Sequence, residues 1–311
     1  IKLLLLKKTI RIGTRDSELA LWQAHTVQKK LNDLGFSTEI IAVKSTGDLI
    51  LDKPLYELGI TGIFTKTLDI AMLKGEVDIA VHSMKDVPTA LPKGIVQAAV
   101  LERANTLDIL VHKGNIDFLD SKGTIASGSL RRKAQWLSKY PTHKVEDLRG
   151  NVNTRMQKLK DNNWNGAIFA AAGLERINLK PSEYLDLNWM IPAPAQGAML
   201  VVALEKDIFS QEALSKLNHK ETEVCTYIER QFLRKLEGGC TAPIGALATI
   251  NEKQIDFEGV LFSLDGKQKF TIKKSCNFDS YIDFGQNCAN EILQNGGKSL
   301  MEELRKELKV K

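Results

Sequence analysis

A cysteine in a glycine-rich turn is the side chain of this sequence best suited to covalent chemistry. Apolar residues recur every four positions up to Leu236, and Gly238 and Gly239 then lead into Cys240, with Pro243 shortly after it. Glycine adopts the left-handed backbone that ends a helix, and proline keeps the helix from restarting. The sequence therefore predicts that a helix delivers the Cys240 thiol on a tight, exposed loop. The alternative for a lone cysteine is a small buried core residue.

Two adjacent arginines, Arg131 and Arg132, fall in the first turn of a predicted helix. The helix dipole disfavours a cation there by up to about 1 kcal/mol, and such exceptions concentrate at functional sites. The preceding Ser127, Gly128 and Ser129 offer amides and hydroxyls to the same anion. A guanidinium binds a carboxylate through two parallel hydrogen bonds, so the segment predicts a carboxylate site, the alternative being a solvated basic turn. Further arginines lie beyond predicted strands or in the next loop, namely Arg15, Arg149, Arg155 and Arg176.

Strand and helix patterns alternate through the first two thirds of the chain, which is typical of doubly wound, mainly parallel sheets. In the first lobe we expect strands at 10–12, 38–44 and 77–81, a helix from Asp16 or Ser17 to 34, and a helix at 63–74. Ligands of such sheets lie beyond the carboxyl ends of the strands. The pattern therefore predicts that Arg15 and the polar residues 82–86 converge on one cleft.

A second lobe repeats this pattern, and an apolar run at 198–204 is expected to return to the first sheet. The predicted elements of the second lobe are strands at 124–126, 144–147 and 167–170 and helices from 130 and at 154–159. Two lobes joined by two crossovers resemble the periplasmic-binding-protein architecture, in which the cleft lies between the lobes.

A third unit begins with the helix that precedes Cys240. We expect antiparallel strands at 244–250, 255–263 and 269–274, the last two joined by a hairpin turn, and helices at 281–293 and 299–308. The predicted fold class is thus α/β, with two doubly wound, periplasmic-binding-protein-like lobes and a small α+β C-terminal domain with a three-stranded antiparallel sheet. The predicted domains are 1–102 with 198–218, then 103–197, then 219–311.

Composition limits the classes of partner. Lys+Arg of 43 against Asp+Glu of 38 gives a net charge of +5 without basic runs interleaved with aromatics, so we expect no nucleic acid. The four cysteines contain no C-x-x-C pair and the five histidines are scattered, so we expect no metal, no disulfide framework and a reducing cytoplasm. The apolar stretch at 3–6 is far too short to cross a bilayer, so no membrane partner is expected.

Four segments, in order, resemble the porphobilinogen deaminase family, whose members are also called hydroxymethylbilane synthases. These segments are 78–89, 125–132, 148–155 and 236–245, and the similarity runs from about Ile10 to near the C-terminus. The resemblance implies an enzyme that condenses four porphobilinogen molecules head to tail into hydroxymethylbilane and releases ammonia. Each pyrrole carries an acetate and a propionate, which would explain the many arginines. The implied partners are porphobilinogen and the growing oligopyrrole, and we expect a monomer.

The resemblance also implies roles for individual residues. In the family, the cysteine of the Glu-Gly-Gly-Cys motif carries dipyrromethane through a thioether, which implies this covalent cofactor on Cys240. Asp86 matches the family's Lys-Asp motif, which implies that it stabilises pyrrole cations and transfers protons. The implied cofactor-binding residues are Ser83, Lys85, Gly128, Ser129, Arg131, Arg132 and Arg155. The implied substrate-binding residues are Arg15, Ser17, Phe64, Arg149 and Arg176.

The loop at 57–64 departs from the family. Many relatives have lysine where Glu57 and Thr61 stand, whereas Phe64 matches a family aromatic. A carboxylate-binding role for this loop is therefore in question, and a mobile lid is the other interpretation. The rival function is a two-lobed anion-binding protein without catalysis, which would need neither Cys240 nor Asp86.

Overall fold

The computed structural model describes residues 8–44, 62, 64–236 and 242–309 of the chain. The chain divides into two compact units. The first comprises 1–50, 60–104 and 197–223, and the second comprises 51–59, 105–196 and 224–311. The chain therefore passes from one unit to the other after residue 104 and again after residue 196. The predicted division into three domains stays a prediction.

Strands and helices alternate through most of the described chain. The strands are β1 Ile10–Arg15, β2 Thr38–Val43, β3 Ile79–Ser83, β4 Ile95–Val100, β5 Asp108–His112, β6 Thr124–Ser127, β7 Lys144–Asp147, β8 Gly166–Ala170, β9 Tyr184–Asp186, β10 Met199–Leu204, β11 Ile244–Asn251, β12 Gln254–Phe262 and β13 Lys269–Asn277. The longer helices are α1 Glu18–Asp33, α2 Lys66–Leu73, α3 Leu130–Lys139, α4 Val152–Asp161, α5 Ala171–Arg176, α6 Ile208–Ser215, α7 Lys220–Lys235, α8 Phe284–Ile292 and α9 Lys298–Lys309. None of the helices in the described residues is long and apolar enough to cross a membrane.

The first unit contains a five-stranded sheet in the order β2-β1-β3-β10-β4. Strand β1 pairs in parallel with β2 and β3, whereas β10 pairs antiparallel with β3 and β4. The apolar run that ends this lobe thus returns to the first sheet, as the sequence predicts. The side chains of β10 are apolar throughout because this strand lies between β3 and β4 and is almost entirely buried.

The second unit repeats that pairing pattern in a five-stranded sheet of order β7-β6-β8-β5-β9. Strand β6 is parallel to β7 and β8, and β5 is antiparallel to β8 and β9. Both sheets are therefore mixed, which differs from the mainly parallel sheets expected from the strand and helix alternation. The antiparallel half of each sheet comes from strands next to the crossovers, whose partners lie far away in the sequence.

Local capping signals explain where the first helix begins and ends. The Ser17 hydroxyl accepts a hydrogen bond from the backbone N–H of Ala20 (3.4 Å), which makes Ser17 the N-cap of α1. Gly35 follows the helix with a φ of +87°, a left-handed conformation that suits glycine. Helix α2, in contrast, begins at Lys66, later than the start predicted at 63.

The C-terminal part of the second unit is a three-stranded antiparallel sheet, β11-β12-β13, covered by helices. Ile228 and Phe232 of α7 are fully buried in its core, and the Phe232 ring meets Phe257 of β12 edge to face at 5.2 Å. The fold class predicted from the sequence, two α/β lobes and a small α+β domain, is confirmed.

The turn between β12 and β13 packs against a helix of the same unit. Gly266 in this turn has a φ of +75°, and a Cβ atom at this position would collide with the backbone oxygen of Ala134 in α3. Val260 and Phe262 of β12 also pack against Ala134. Within the second unit, the antiparallel sheet is therefore fixed directly to the helix that begins at the two adjacent arginines.

This packing predicts the effect of adding one methyl group. Gly266→Ala should lower the melting temperature by roughly 2 to 10 °C more than Gly114→Ala, because overpacking a tight contact costs about 1–3 kcal/mol. Gly114 is the matched control, since its φ is also positive (+96°) but nothing lies within 4 Å of an added Cβ atom. Thermal unfolding followed by circular dichroism measures the difference. Equal melting temperatures for the two variants would contradict the contact.

Candidate active site

Arg15 and Phe64 meet at the carboxyl edge of the first sheet. Arg15 is the last residue of β1, and its guanidinium lies over the Phe64 ring at 4.5 Å from the ring centroid. A guanidinium stacked in this way is held in orientation while its N–H groups still point outward within its own plane. The structure therefore brings together two residues that the family resemblance implies for substrate binding.

The predicted catalytic segment follows β3 at the same edge. The Gln23 amide donates to the hydroxyl of Ser83 (2.9 Å), the last residue of β3. Met84 to Asp86 then form a single 3₁₀ turn. The backbone N–H of Met84 donates to the Ala198 carbonyl (3.0 Å), and that of Val87 donates to the Met84 carbonyl (3.2 Å).

Buried apolar side chains anchor this turn on both sides. Met84 and Val87 are buried, whereas Lys85 and Asp86 between them are half-buried. The turn is thus fixed from inside the unit while its two charged side chains remain accessible. This is the arrangement needed for a carboxyl group that acts on a bound molecule.

His82 is a buried group in this cluster to which the sequence assigned no role. Burial lowers its pKa to about 4, and the positive charge of Arg15 acts in the same direction. The ring is therefore neutral at physiological pH. An apolar strand with a histidine at its penultimate position was the available signal, but it does not distinguish a buried ring from an exposed one.

Arg131 and Arg132 in the second unit share one buried carboxylate. Asp108, at the start of β5, accepts from Nη1 of Arg131 (2.7 Å) and from Nε of Arg132 (2.9 Å). All three side chains are buried. Burial alone would raise the pKa of Asp108, but the two guanidinium groups hold it well below its usual range. The interpretation as a solvated basic turn is therefore wrong.

These arginines also bind backbone carbonyls. Nη1 of Arg131 donates to the Ile191 carbonyl (2.7 Å), and Nη1 of Arg132 donates to the Ile168 carbonyl (3.0 Å). The trio of two guanidinium groups and one carboxylate keeps one excess positive charge. Much of the hydrogen-bonding capacity of the pair thus serves the protein itself, and direct binding of ligand carboxylates by both arginines stays a prediction.

The segment before α3 packs closely against the backbone that follows β7. The Ser129 hydroxyl caps the helix by accepting from the backbone N–H of Arg132 (3.5 Å). A Cβ atom on Gly128 would collide with the Leu148 carbonyl oxygen and would lie 3.5 Å from a terminal nitrogen of Arg155. Gly128 and Arg155, both implied as cofactor ligands, are therefore neighbours. Glycine is required at position 128 because the backbone of Leu148, just after β7, passes so close.

Parallel pairing brings Arg149 to the same edge of the sheet. Ser127 and Asp147 are paired at the ends of β6 and β7, so Arg149 lies just beyond that pair and is itself buried. Arg176 is different, because it ends helix α5 and does not directly follow a strand. Burial lowers the pKa of Arg176 to about 10, against the opposing effect of Glu175.

Several predictions fall on residues outside the described ranges. Cys240, Glu57 and Thr61 are among them, so the exposed cysteine loop and the lid stay predictions. The described flanks of the cysteine segment are α7, which ends at Lys235, and β11, which begins at Ile244. That the site residues of the first unit and those of the second unit converge on one cleft also stays a prediction.

Fold and site together define a class: an α/β protein with two mixed sheets that carry basic side chains at their carboxyl edges, followed by a small α+β domain. Residues 10–212 match the family model "Porphobilinogen deaminase, dipyromethane cofactor binding domain". Residues 223–294 match "Porphobilinogen deaminase, C-terminal domain". The chain belongs to the porphobilinogen deaminase family, which confirms the resemblance seen in its four sequence segments.

Curated relatives agree over almost the whole chain. A porphobilinogen deaminase of Syntrophomonas wolfei is 39% identical over 96% of this chain and 100% of its own length. The chloroplastic porphobilinogen deaminase of Oryza sativa is 40% identical over 95% of this chain and 86% of its own. Among solved structures, the second substrate binding domain of a putative amino acid ABC transporter from Streptococcus pneumoniae is 12% identical over 67% of this chain and 91% of its own, with a TM-score of 0.43. At that TM-score the comparison carries no argument, and the fold is defined by the strand order of the sheets.

The burial of His82 predicts a pH dependence of stability. Its pKa is about 4 in the folded protein against 6.5 for an unperturbed ring, so the stability it contributes is complete above pH 6.5 and is lost as the pH falls towards 4. Between pH 7 and 4.5 the wild type should lose about 2 kcal/mol more of its free energy of unfolding than His82→Gln. Urea unfolding at both pH values measures this difference, with His25→Gln as the control for an exposed histidine. Equal losses in wild type and His82→Gln would contradict the assignment.

Proposed function

We propose that this chain builds oligopyrroles on its own cysteine. Dipyrromethane is attached to Cys240 through a thioether, four porphobilinogen units are added head to tail, and hydrolysis releases hydroxymethylbilane. The observation that carries the proposal is the family match across both domains together with the Glu-Gly-Gly-Cys motif at 237–240. This is the activity of a hydroxymethylbilane synthase.

The residues of the second unit suit a cofactor rich in carboxylates. Gly128 and Arg155 are neighbours, and the Ser129 hydroxyl caps the helix that begins at the arginine pair. The trio around Asp108 adds its excess positive charge at the start of the same helix. When bound, dipyrromethane supplies four carboxylates and a nucleophilic pyrrole carbon. The donor set therefore fits the group.

Asp86 is proposed as the catalytic residue. A carboxylate stabilises positive charge that develops on a pyrrole nitrogen when ammonia leaves porphobilinogen, and it can take up the proton lost from the attacking ring carbon. The 3₁₀ turn fixes Asp86 next to Lys85 at the edge where Arg15 and Phe64 meet. We propose that Arg15, Arg149 and Arg176, with Ser17 and Phe64, hold the incoming substrate. Ser83, Lys85, Arg131 and Arg132 complete the proposed cofactor site.

Membership of this family disfavours the rival function, a passive anion-binding protein. Such a protein would use the fold and the arginines, but it would need neither a cysteine anchor nor a catalytic carboxylate. A monomeric state, a cytoplasmic location and the absence of nucleic acid and membrane partners stay predictions, and the chloroplastic description of the rice relative shows that location varies among similar proteins.

The anchor predicts a covalent adduct. Intact-mass spectrometry of the purified protein should show an added dipyrromethane that maps to Cys240, and limiting porphobilinogen should add a ladder of one to four pyrrole units. Cys240→Ser should lack both, because an alkyl hydroxyl is a far weaker nucleophile than a thiolate. Cys276→Ser is the matched control, since Cys276 is a half-buried cysteine of β13. An unmodified Cys240→Ser protein with full activity would overturn the proposal.

Asp86 predicts a loss of turnover without a loss of fold. Asp86→Ala should lower kcat at least a hundredfold, the usual contribution of general acid/base catalysis, and Asp86→Glu should retain part of the activity. Asp117→Ala, at an exposed aspartate of a different 3₁₀ turn, is the control. The amount of hydroxymethylbilane formed is measured by oxidising the product to uroporphyrin and recording its absorbance. Turnover of Asp86→Ala within tenfold of wild type would contradict the role.

A further inference from the structure

Glu229 is a fully buried acidic residue in the middle of α7. One carboxyl oxygen accepts from the backbone N–H of Ala195 (2.6 Å), and the other accepts from the backbone N–H of Ala248 (2.8 Å). A buried carboxyl group is costly unless its oxygens are hydrogen-bonded. Here both oxygens bind backbone groups, and these two groups belong to segments far apart in the sequence.

Ala195 has an unusual backbone conformation. Its φ is +64°, in the left-handed region that glycine adopts readily and alanine does not, and the residue is completely buried. Such a conformation persists where surrounding contacts hold it. The hydrogen bond from the Ala195 N–H to Glu229 is such a contact, so Glu229 helps to hold the left-handed turn.

The turn leads directly into the buried ion-pair network. Gln196, the next residue, donates from its amide nitrogen to Asp108 (2.9 Å) and to the Thr106 carbonyl (2.8 Å). Asp108 in turn binds Arg131 and Arg132. A continuous set of hydrogen bonds and one peptide unit therefore runs from Glu229 to the arginine pair, entirely within the second unit.

Glu229 also links the two described flanks of the cysteine segment. Glu229 lies on α7, which ends at Lys235, five positions before Cys240 in the sequence. Ala248 lies on β11, which begins at Ile244, four positions after Cys240. One carboxyl group thus ties the helix before the cysteine and the strand after it to the turn at Ala195.

We propose that Glu229 is a positioning residue for cofactor attachment. By holding Ala195 in its left-handed conformation, Glu229 keeps the flanks of Cys240 in a fixed position relative to the arginine network. The inference rests on the proposed function, since it concerns loading of dipyrromethane on Cys240. Covalent attachment requires the thiol and the bound cofactor to meet within a narrow range of distance and angle. Loosening the Ala195 turn therefore slows attachment before it affects later steps.

The test measures the rate of adduct formation when apoprotein is mixed with porphobilinogen, by intact mass. Glu229→Gln keeps the shape of the side chain but turns an acceptor into a donor, and it should slow loading at least tenfold. Ala195→Gly in the Glu229→Gln background should restore loading to within about threefold of wild type, because glycine adopts a positive φ without support. Ala195→Gly alone should load at the wild-type rate.

Glu252→Gly is the matched control for general stabilisation. Glu252 also has a positive φ, +55°, but lies in the turn between β11 and β12 and is exposed. In the Glu229→Gln background, Glu252→Gly should raise the melting temperature without restoring the loading of the cofactor. If Glu229→Gln does not fold, the two double variants give the same comparison. Of the two, only the one with Ala195→Gly is expected to recover a folded protein that loads the cofactor.

The outcomes separate the two proposals. If the wild type forms no adduct, the proposed function fails. If the wild type loads and Glu229→Gln loads equally fast, the positioning role is overturned while the function stands. The role is also overturned if Glu252→Gly rescues loading as well as Ala195→Gly does, or if Ala195→Gly rescues none of it.

Discussion

Two guanidinium groups buried side by side need a carboxylate between them, and in the second unit Asp108 provides it. The cost of taking charges out of water is several kcal/mol per ion, and removing one partner of a buried pair typically costs about 3–5 kcal/mol. Asp108 offsets this cost through short contacts to both Arg131 (2.7 Å) and Arg132 (2.8 Å). Its position at the start of β5 is therefore fixed relative to the first turn of α3.

Other features of the unit follow from that contact. Helix α3 begins with two cations against its own dipole, which is tolerable because the carboxylate neutralises one of them. Ser129, which caps this helix, and Gly128 directly precede it, so their geometry depends on where the helix begins. Gln196 also binds Asp108, which ties the chain just before its passage to the first unit to the same point.

Much of the fold is predictable because its signals are local. Ser17 caps α1 where the sequence indicates, the bounds of β7 agree with the predicted strand, and α3 begins at Leu130 as expected. The sequence did not predict the antiparallel pairing of β10 with β4, because that pairing joins strands about a hundred residues apart.

The candidate site also contains features that the sequence predicts and features that it does not. Residues placed at the carboxyl ends of strands, such as Arg15 and Ser83, lie where the alternation of strands and helices predicts. The partners of Arg131 and Arg132 were missed, because nothing near Asp108 in the sequence marks it as their counter-ion. His82 was missed for a related reason, since its neutrality results from burial by elements distant in sequence.

Backbone N–H groups of the segment 191–196 donate to side chains of distant helices, and the sequence of the segment explains why. Pro192 and Pro194 have no backbone N–H, so this buried stretch cannot join a sheet ladder along its length. Its remaining polar groups must find other partners, since buried backbone groups are almost always hydrogen-bonded. The N–H of Ile191 donates to Gln135 (2.8 Å), and that of Ala195 donates to Glu229 (2.6 Å).

Acceptors of this kind come from α3 and α7, helices that precede and follow the segment at a distance. Their side chains therefore determine the conformation of a stretch that has no regular secondary structure of its own. The same stretch joins the Asp108 network to the flanks of Cys240, so its conformation is set by two buried carboxyl groups, Asp108 and Glu229, acting at neighbouring residues. Both carboxyl groups are fully buried, so a substitution at either of them acts on the segment through its backbone.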